Sequence, residues 1–478
     1  MCCHVRTYGD DFSHRLMPEN HRKLSDRVTD MGVLIPVQIA AAEADGFQLH
    51  QYFAGGRSRW LRPFKYFERA RGDEFNGSHG VWAGLRTNEL TDSISPMPVV
   101  TELTGPGSGA AASGGLSSLT AGNRPASERL LALDVYRGLI MVLLISHGFG
   151  LGSLKDHPIG RHLAYQVDHV AWEGLVLWDL IQPAFMFMVG VAMPFAFARR
   201  EEQAAGGAGF WRSFAHVARR SAILIFLSQL FVAVGSGPYQ FGLINVLSQI
   251  AFTYLICFLI MRLEFNLQVS AAVGLLAAHW LLFLRYPGPA GPFSLEGNIG
   301  QVIDQWWLGR NYSGYYVTIN FVSSTVTTLF GVWAGMLLWR PIELREKMRI
   351  LLWCGGGCLV AGMALSLVNP MVKRLWTASF TIYSAGLVIL GLAAIVWVVD
   401  GLGWKRLAMP LVWVGTNSLF IYCVAQMCYG GISRGVGVFT GKFEWLGLLG
   451  PVAHACATLA VLWWMCWWLY QRKAFVKI

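Results

Sequence analysis

Charge is what this chain has least of: 14% of its 478 residues are Asp, Glu, Lys or Arg, against 54% hydrophobic ones. A soluble fold of this length needs more polar surface, so the composition excludes an ordinary globular protein. Nine Cys form neither a disulfide framework nor a Cys/His set with zinc spacing, so no metal is expected. Residues 1–104 lack an apolar run long enough to cross a bilayer. The one short run, "MGVLIPVQIAAA" at 31–42, contains a proline and has no basic region directly before it, unlike a signal peptide. No sequence symmetry relates 129–300 to 301–478, which leans away from a transporter built of repeats.

What is present is a series of apolar runs from residue 130 onward. A spanning helix needs about 20 mostly apolar residues, because the hydrocarbon core is about 30 Å thick and the backbone must satisfy its own polar groups inside it. Ten runs meet that demand: 132–153, 175–198, 216–235, 242–261, 267–286, 317–339, 349–369, 376–399, 409–430 and 447–470. The expected fold is an all-α polytopic membrane protein of about ten transmembrane helices with a polar N-terminal extension. Three regions follow: an extension of unknown role over 1–104, a Gly/Ser/Ala-rich linker over 105–128, and a membrane domain over 129–478.

Basic residues are distributed unevenly between the two sides of these runs. Eighteen Lys and Arg fall on one side, and eight on the other: Lys155, Arg161, Arg285, Arg310, Lys373, Arg374, Arg434 and Lys442. Short basic loops stay cytoplasmic, which predicts both termini in the cytoplasm and an integral, multi-pass protein of the inner membrane if the source is bacterial. The net charge of +10 resides in this membrane portion, because thirteen basic and thirteen acidic residues balance over 1–124. Membrane lipid is the expected partner of these loops and nucleic acid is not. A homo-oligomer is compatible with the architecture.

Ionisable residues beside apolar runs are the candidates for chemistry. Asp134 and Arg137 are three apart, hence on one helix face, where they form either a helix-end ion pair or, beside Gly138, a polar holder. His147 lies further along the same run. In "DHVAWEGLVLWDLIQP", His169, Trp172, Val176, Asp179 and Pro183 share a helical face if the helix starts as early as 169, with Glu173 bordering it. Asp179 falls within the run, where a carboxylate is costly, and His169 can exchange protons near neutral pH. The competing reading is an interfacial helix start with its tryptophans in the aromatic belt.

The patches "LALDVYRGLIMVLLISHG", "DHVAWEGLVLWDLIQPAFMFMVGVAMPF", "GYYVTINFVSSTVTTLFGVWAG", "VKRLWTASFTIYSAGLVI" and "VWVGTNSLFIYCVAQ" resemble, in that order, the membrane domain of the heparan-alpha-glucosaminide N-acetyltransferase family, within the wider transmembrane acyltransferase class. The resemblance covers about 129–470. It implies transfer of an acetyl group from cytosolic acetyl-CoA, the donor substrate, to an amino sugar or related glycan acceptor on the extracytoplasmic side. It also makes His169, Trp172 and Gly174 the family's His-x-x-Trp-x-Gly patch, with His169 as the essential histidine. The chain departs from the family at "SHGFG", 146–150, where the eukaryotic enzyme has an asparagine-containing turn. On this reading His169, Asp179 and Glu173 are the catalytic candidates, and Asp168, Trp172, Asn417 and Ser418 the substrate-binding ones. Arg137, Arg219 and Arg220 are candidates for the coenzyme A phosphates. The alternative from another class is a polytopic transporter of a sugar or amino sugar.

Overall fold

The apolar runs become helices because a bundle buries their side chains and each helix satisfies its own backbone. The computed structural model describes residues 131–203, 209–236 and 241–476; the extension, the linker and their expected boundaries lie outside the described residues. In chain order the α-helices are α1 (Leu131–Ile145), α2 (Gly160–Gln166), α3 (Ile181–Gln203), α4 (Phe210–Ser236), α5 (Val246–Ile260), α6 (Phe265–Arg285), α7 (Ile299–Leu308), α8 (Asn320–Trp339), α9 (Leu344–Ser366), α10 (Ala378–Val396), α11 (Lys405–Thr416), α12 (Ser418–Thr440) and α13 (Gly450–Gln471). No strand occurs among the described residues.

Two helix pairs pack with backbones almost touching. A Cβ on Gly190 of α3 would fall 2.0 Å from the Thr328 carbonyl oxygen of α8, and one on Gly331 of α8 would fall 2.0 Å from that of Phe187. Such small residues let helices approach closely where hydrophobic attraction between them is absent. Gly138 plays the same part in α1, since its Cβ would fall 1.9 Å from the Leu411 carbonyl oxygen of α11. Larger apolar side chains, Phe187, Met188, Val191 and Leu392 among them, fill the space between α1, α3 and α10.

Among the described residues seven helices are long and apolar enough to cross a membrane, or eight if one bent pair counts as a single span, against the ten expected. Three places account for the difference. The first expected run breaks at Ser146 into α1 and a 3₁₀ segment, His147–Leu154, bent by 49°. The run expected over 242–261 forms α5, whose 15 residues rise only about 22 Å. The ninth run breaks at Asn417 after α11, and its remainder joins the tenth in one helical stretch, Ser418–Gln471, that turns at Gly441–Leu449 through positive φ at Lys442, Phe443 and Gly447.

No helix starts as early as 169, the condition for the shared face. Gly174 takes φ 116°, which no helix contains, and Val176 is extended at φ −121°, ψ 170°. Regular α-helix begins only at Ile181, after a 3₁₀ turn over Leu177–Leu180. His169 therefore reaches Asp179 by a loop that folds back rather than along a helix face.

Candidate functional site

That loop is held by three contacts of its own. The Asp168 carboxylate accepts the His169 backbone N–H at 2.8 Å, the Gly174 N–H donates to the Met371 carbonyl at 2.9 Å, and the Trp172 indole donates to the Phe293 carbonyl at 2.9 Å. Gly174 is required here for its conformation, because its φ is one that a side chain resists. At the other end of the loop, Asp179 is 1% exposed and accepts the Val176 N–H.

The two ends meet at His169 Nδ1, 2.7 Å from Asp179 Oδ1. A carboxylate at Nδ1 holds the ring proton there and leaves Nε2 as the basic nitrogen. The imidazole is about half exposed while Asp179 is buried, so one partner is fixed and the other accessible. A third group completes the cluster: Lys373 Nζ lies 3.2 Å from Asp179 Oδ1 and 3.4 Å from His169 Nδ1. Burial pulls the Lys373 ammonium below the ordinary lysine range and Arg374 adds to this, while Asp179 pulls it back up.

Lys373 was counted in the sequence only as a basic residue on the sparse side. Its placement depends on the turn 367–377 between α9 and α10. There Thr377 Oγ1 donates to the Pro370 carbonyl at 2.7 Å and accepts the Val372 N–H at 3.0 Å, and Ser379 donates to Asn369. Trp376 is fully buried at φ 56°, a strained conformation for a bulky residue, with its indole donating to Thr327 of α8. A signal was available: a Lys-Arg pair against the general charge asymmetry, inside the patch "VKRLWTASFTIYSAGLVI".

His169 lines two cavities. One, of about 270 Å³, is shared with Lys373, Gln182, Gln249, Asn320 and Tyr316. The other, of about 610 Å³, is shared with Asp168, Lys155, Arg161, Tyr165 and His147. His147 itself is held at φ 47° with its ring stacked on Tyr429 at 3.7 Å. Glu173 is exposed on the loop and is not a partner of the His169 ring, whose partners are Asp179 and Lys373.

The remaining candidates gather elsewhere. Arg137, Arg220 and Ser418 line a third cavity of about 320 Å³ against Phe185, Met188 and Ala196 of α3. Ala196 is fourteen residues beyond Gln182, roughly 20 Å along the helix. Arg137 pairs with Asp134 at 3.6 Å, as their spacing predicts, and Arg220 lies over the Tyr254 ring at 4.9 Å. Arg219 is an exposed neighbour on α4. Asn417 is buried at the break between α11 and α12, where its side-chain oxygen accepts the Val476 N–H at 3.1 Å. The structure thus divides the candidates along α3, with His169, Asp179 and Asp168 at its start and Arg137, Arg220 and Ser418 beside its middle turns. Among the described residues no three His, Cys, Asp or Glu side chains cluster as a metal site.

No protein-family profile matches the chain. It is 22% identical over 371 residues to the mouse heparan-alpha-glucosaminide N-acetyltransferase, covering 63% of this chain and 53% of that protein. It is 21% identical over 363 residues to the human protein of the same name, covering 62% and 52%. The relationship is distant, and the chain spans about half the length of the curated relatives it matches.

Proposed function

We propose that the protein moves an acetyl group through the membrane, from acetyl-CoA at the arginine-lined cavity to the amine of an amino sugar or related glycan at the His169 cavities. The observation that carries the reading is the position of His169. Its ring is oriented by a buried carboxylate, that carboxylate is gripped by a buried lysine, and the same ring opens to two cavities. Aminolysis of a thioester needs a base to take the amine's proton and donors to stabilise the oxyanion. Nε2 of His169 supplies the base, with Asp179 fixing the tautomer and stabilising the imidazolium. Lys373 holds Asp179 ionised and in place.

Sidedness follows from charge. Arg137 and Arg220 belong to the basic, cytoplasmic ends, where coenzyme A is available, and His169 to the sparse side. Asp168, Lys155 and Arg161 surround the larger cavity and suit a polar acceptor. Acceptor and donor then approach the same imidazole from different cavities.

The test is purified protein incubated with radiolabelled acetyl-CoA and a panel of amino sugars, beside His169→Ala. The wild type should form acetylated product, and the variant should lower kcat by about 10²–10⁴ with the affinity for coenzyme A nearly unchanged. Equal rates in the two proteins would remove His169 from the chemistry. Uptake of an amino sugar into vesicles with no transfer would overturn the enzyme reading in favour of a transporter.

A further inference from the structure

Between three helices runs a chain of side-chain amides that does not use all of its donors on itself. Gln182 of α3 donates to the Gln249 oxygen of α5. The Gln249 amide spends both its protons, on Asn320 Oδ1 and on Ser324 Oγ of α8, each at 3.0 Å. Gln249 is 5% exposed, Asn320 3% and Ser324 0%. A primary amide carries two N–H groups. The bonds run in one direction and end on the Asn320 oxygen, so the Asn320 amino group and the second N–H of Gln182 are not consumed within the chain.

Those groups border the 270 Å³ cavity, which Gln182, Gln249 and Asn320 line together with His169 and Lys373. One turn beyond Gln182, Phe185 lines the arginine cavity, and Ile250, the residue after Gln249, lines it as well. Gln182 and Gln249 thus stand on α3 and α5 within a turn of residues that line the arginine cavity. Amides of this kind join helices by hydrogen bonds across them. Here the surplus faces a cavity that a basic imidazole also faces, and Asp179 is not among its lining residues.

Resting on the transfer reading above, we propose that the amides of Asn320 and Gln182 form the oxyanion hole of the reaction, with Gln249 as the positioning residue that fixes both. The amine nitrogen attacks the thioester carbonyl carbon, a C–N bond forms, and the carbonyl electron pair moves onto the oxygen facing these N–H groups. His169 Nε2 takes the amine's proton. Collapse of the tetrahedral species breaks the C–S bond, and the departing thiolate receives that proton as free coenzyme A. The donors are preorganised by buried neighbours, so little reorganisation is needed as charge develops.

Two measurements test this. Asn320→Ala should lower kcat for acetyl-CoA by about 10²–10³, the usual effect of removing one such donor, with coenzyme A binding unchanged. The wild type is also compared on acetyl-CoA and on its dithioester analogue, in which sulfur replaces the carbonyl oxygen. It should prefer the oxygen donor at least about tenfold more than uncatalysed aminolysis does, because sulfur accepts hydrogen bonds poorly. Asn320→Ala should lose that preference, a change that a purely structural role would not produce. If the variant does not fold, the wild-type preference alone decides, and its absence overturns the hole. Activity lost in His169→Ala but kept in Asn320→Ala would remove the hole and leave the transfer reading standing. No transfer by the wild type would remove both.

Discussion

Asp179 is the residue on which the site turns, because one of its two buried oxygens, Oδ1, meets both His169 and Lys373. A carboxylate in that position needs both partners to offset its lost hydration. Burial depresses Lys373 below the ordinary lysine value of 10.5, so the folded protein releases this proton at lower pH than the unfolded chain. Between the two values the unfolded chain holds more protons, and this group's contribution to stability rises with pH through that window; it is smallest below the folded value. Lys373→Met removes the titration. The melting temperature of the wild type relative to this variant should therefore climb as the pH rises toward the ordinary lysine value of 10.5. A difference that does not change with pH would show that the lysine keeps its ordinary value.

The loop over 168–176 and the turn over 367–377 act as one unit, tied by the Gly174-to-Met371 hydrogen bond and by Arg374, which lies 6.0 Å from the rings of both Trp172 and Tyr316. They bring together His169 and Lys373, which are 204 positions apart. Gly174→Ala probes the joint. The space beside its Cβ is open, with Val170 the nearest atom at 3.6 Å, so strain at φ 116° is the only cost, about 1–3 kcal/mol. The expected outcome is a modest fall in melting temperature with a larger fall in kcat than in coenzyme A affinity, since the change displaces His169 and leaves the arginine cavity intact. Unaltered kcat in a destabilised variant would show that the loop does not set the position of the histidine.

For the whole molecule, α5 decides which loops share a side. It is short for a hydrocarbon core of about 30 Å, yet it packs between α4 and α8 and exposes little to lipid. The extended residues before it, Leu243 to Asn245, line the His169 cavity, and irregular backbone at membrane depth is tolerated where it lines a cavity. If α5 crosses, five crossings separate Lys155 from Glu343 and the two lie on opposite sides. Alkaline phosphatase fused after Lys155 should then be active and after Glu343 inactive. The reverse pattern would invert the orientation, and equal activity would show that α5 does not cross.

Local properties were legible in the sequence. Apolar runs set where helices form, because burial and backbone satisfaction act residue by residue along a run, and α6 and α13 fall close to the expected bounds. His169 and Asp179 were legible as a pair, although the helix face inferred for them was wrong: Gly174 shows its φ only once its neighbours hold it. The Asp134–Arg137 pair was readable from spacing alone. Lys373, Gln249 and Asn320 were not, because nothing local ties them to His169. A lysine in a turn and two amides in apolar runs read as ordinary loop charge and helix glue. Only the packing of α3 against α5, α8 and the turn after α9 puts them around one cavity, since contacts between distant segments depend on how whole helices fit together.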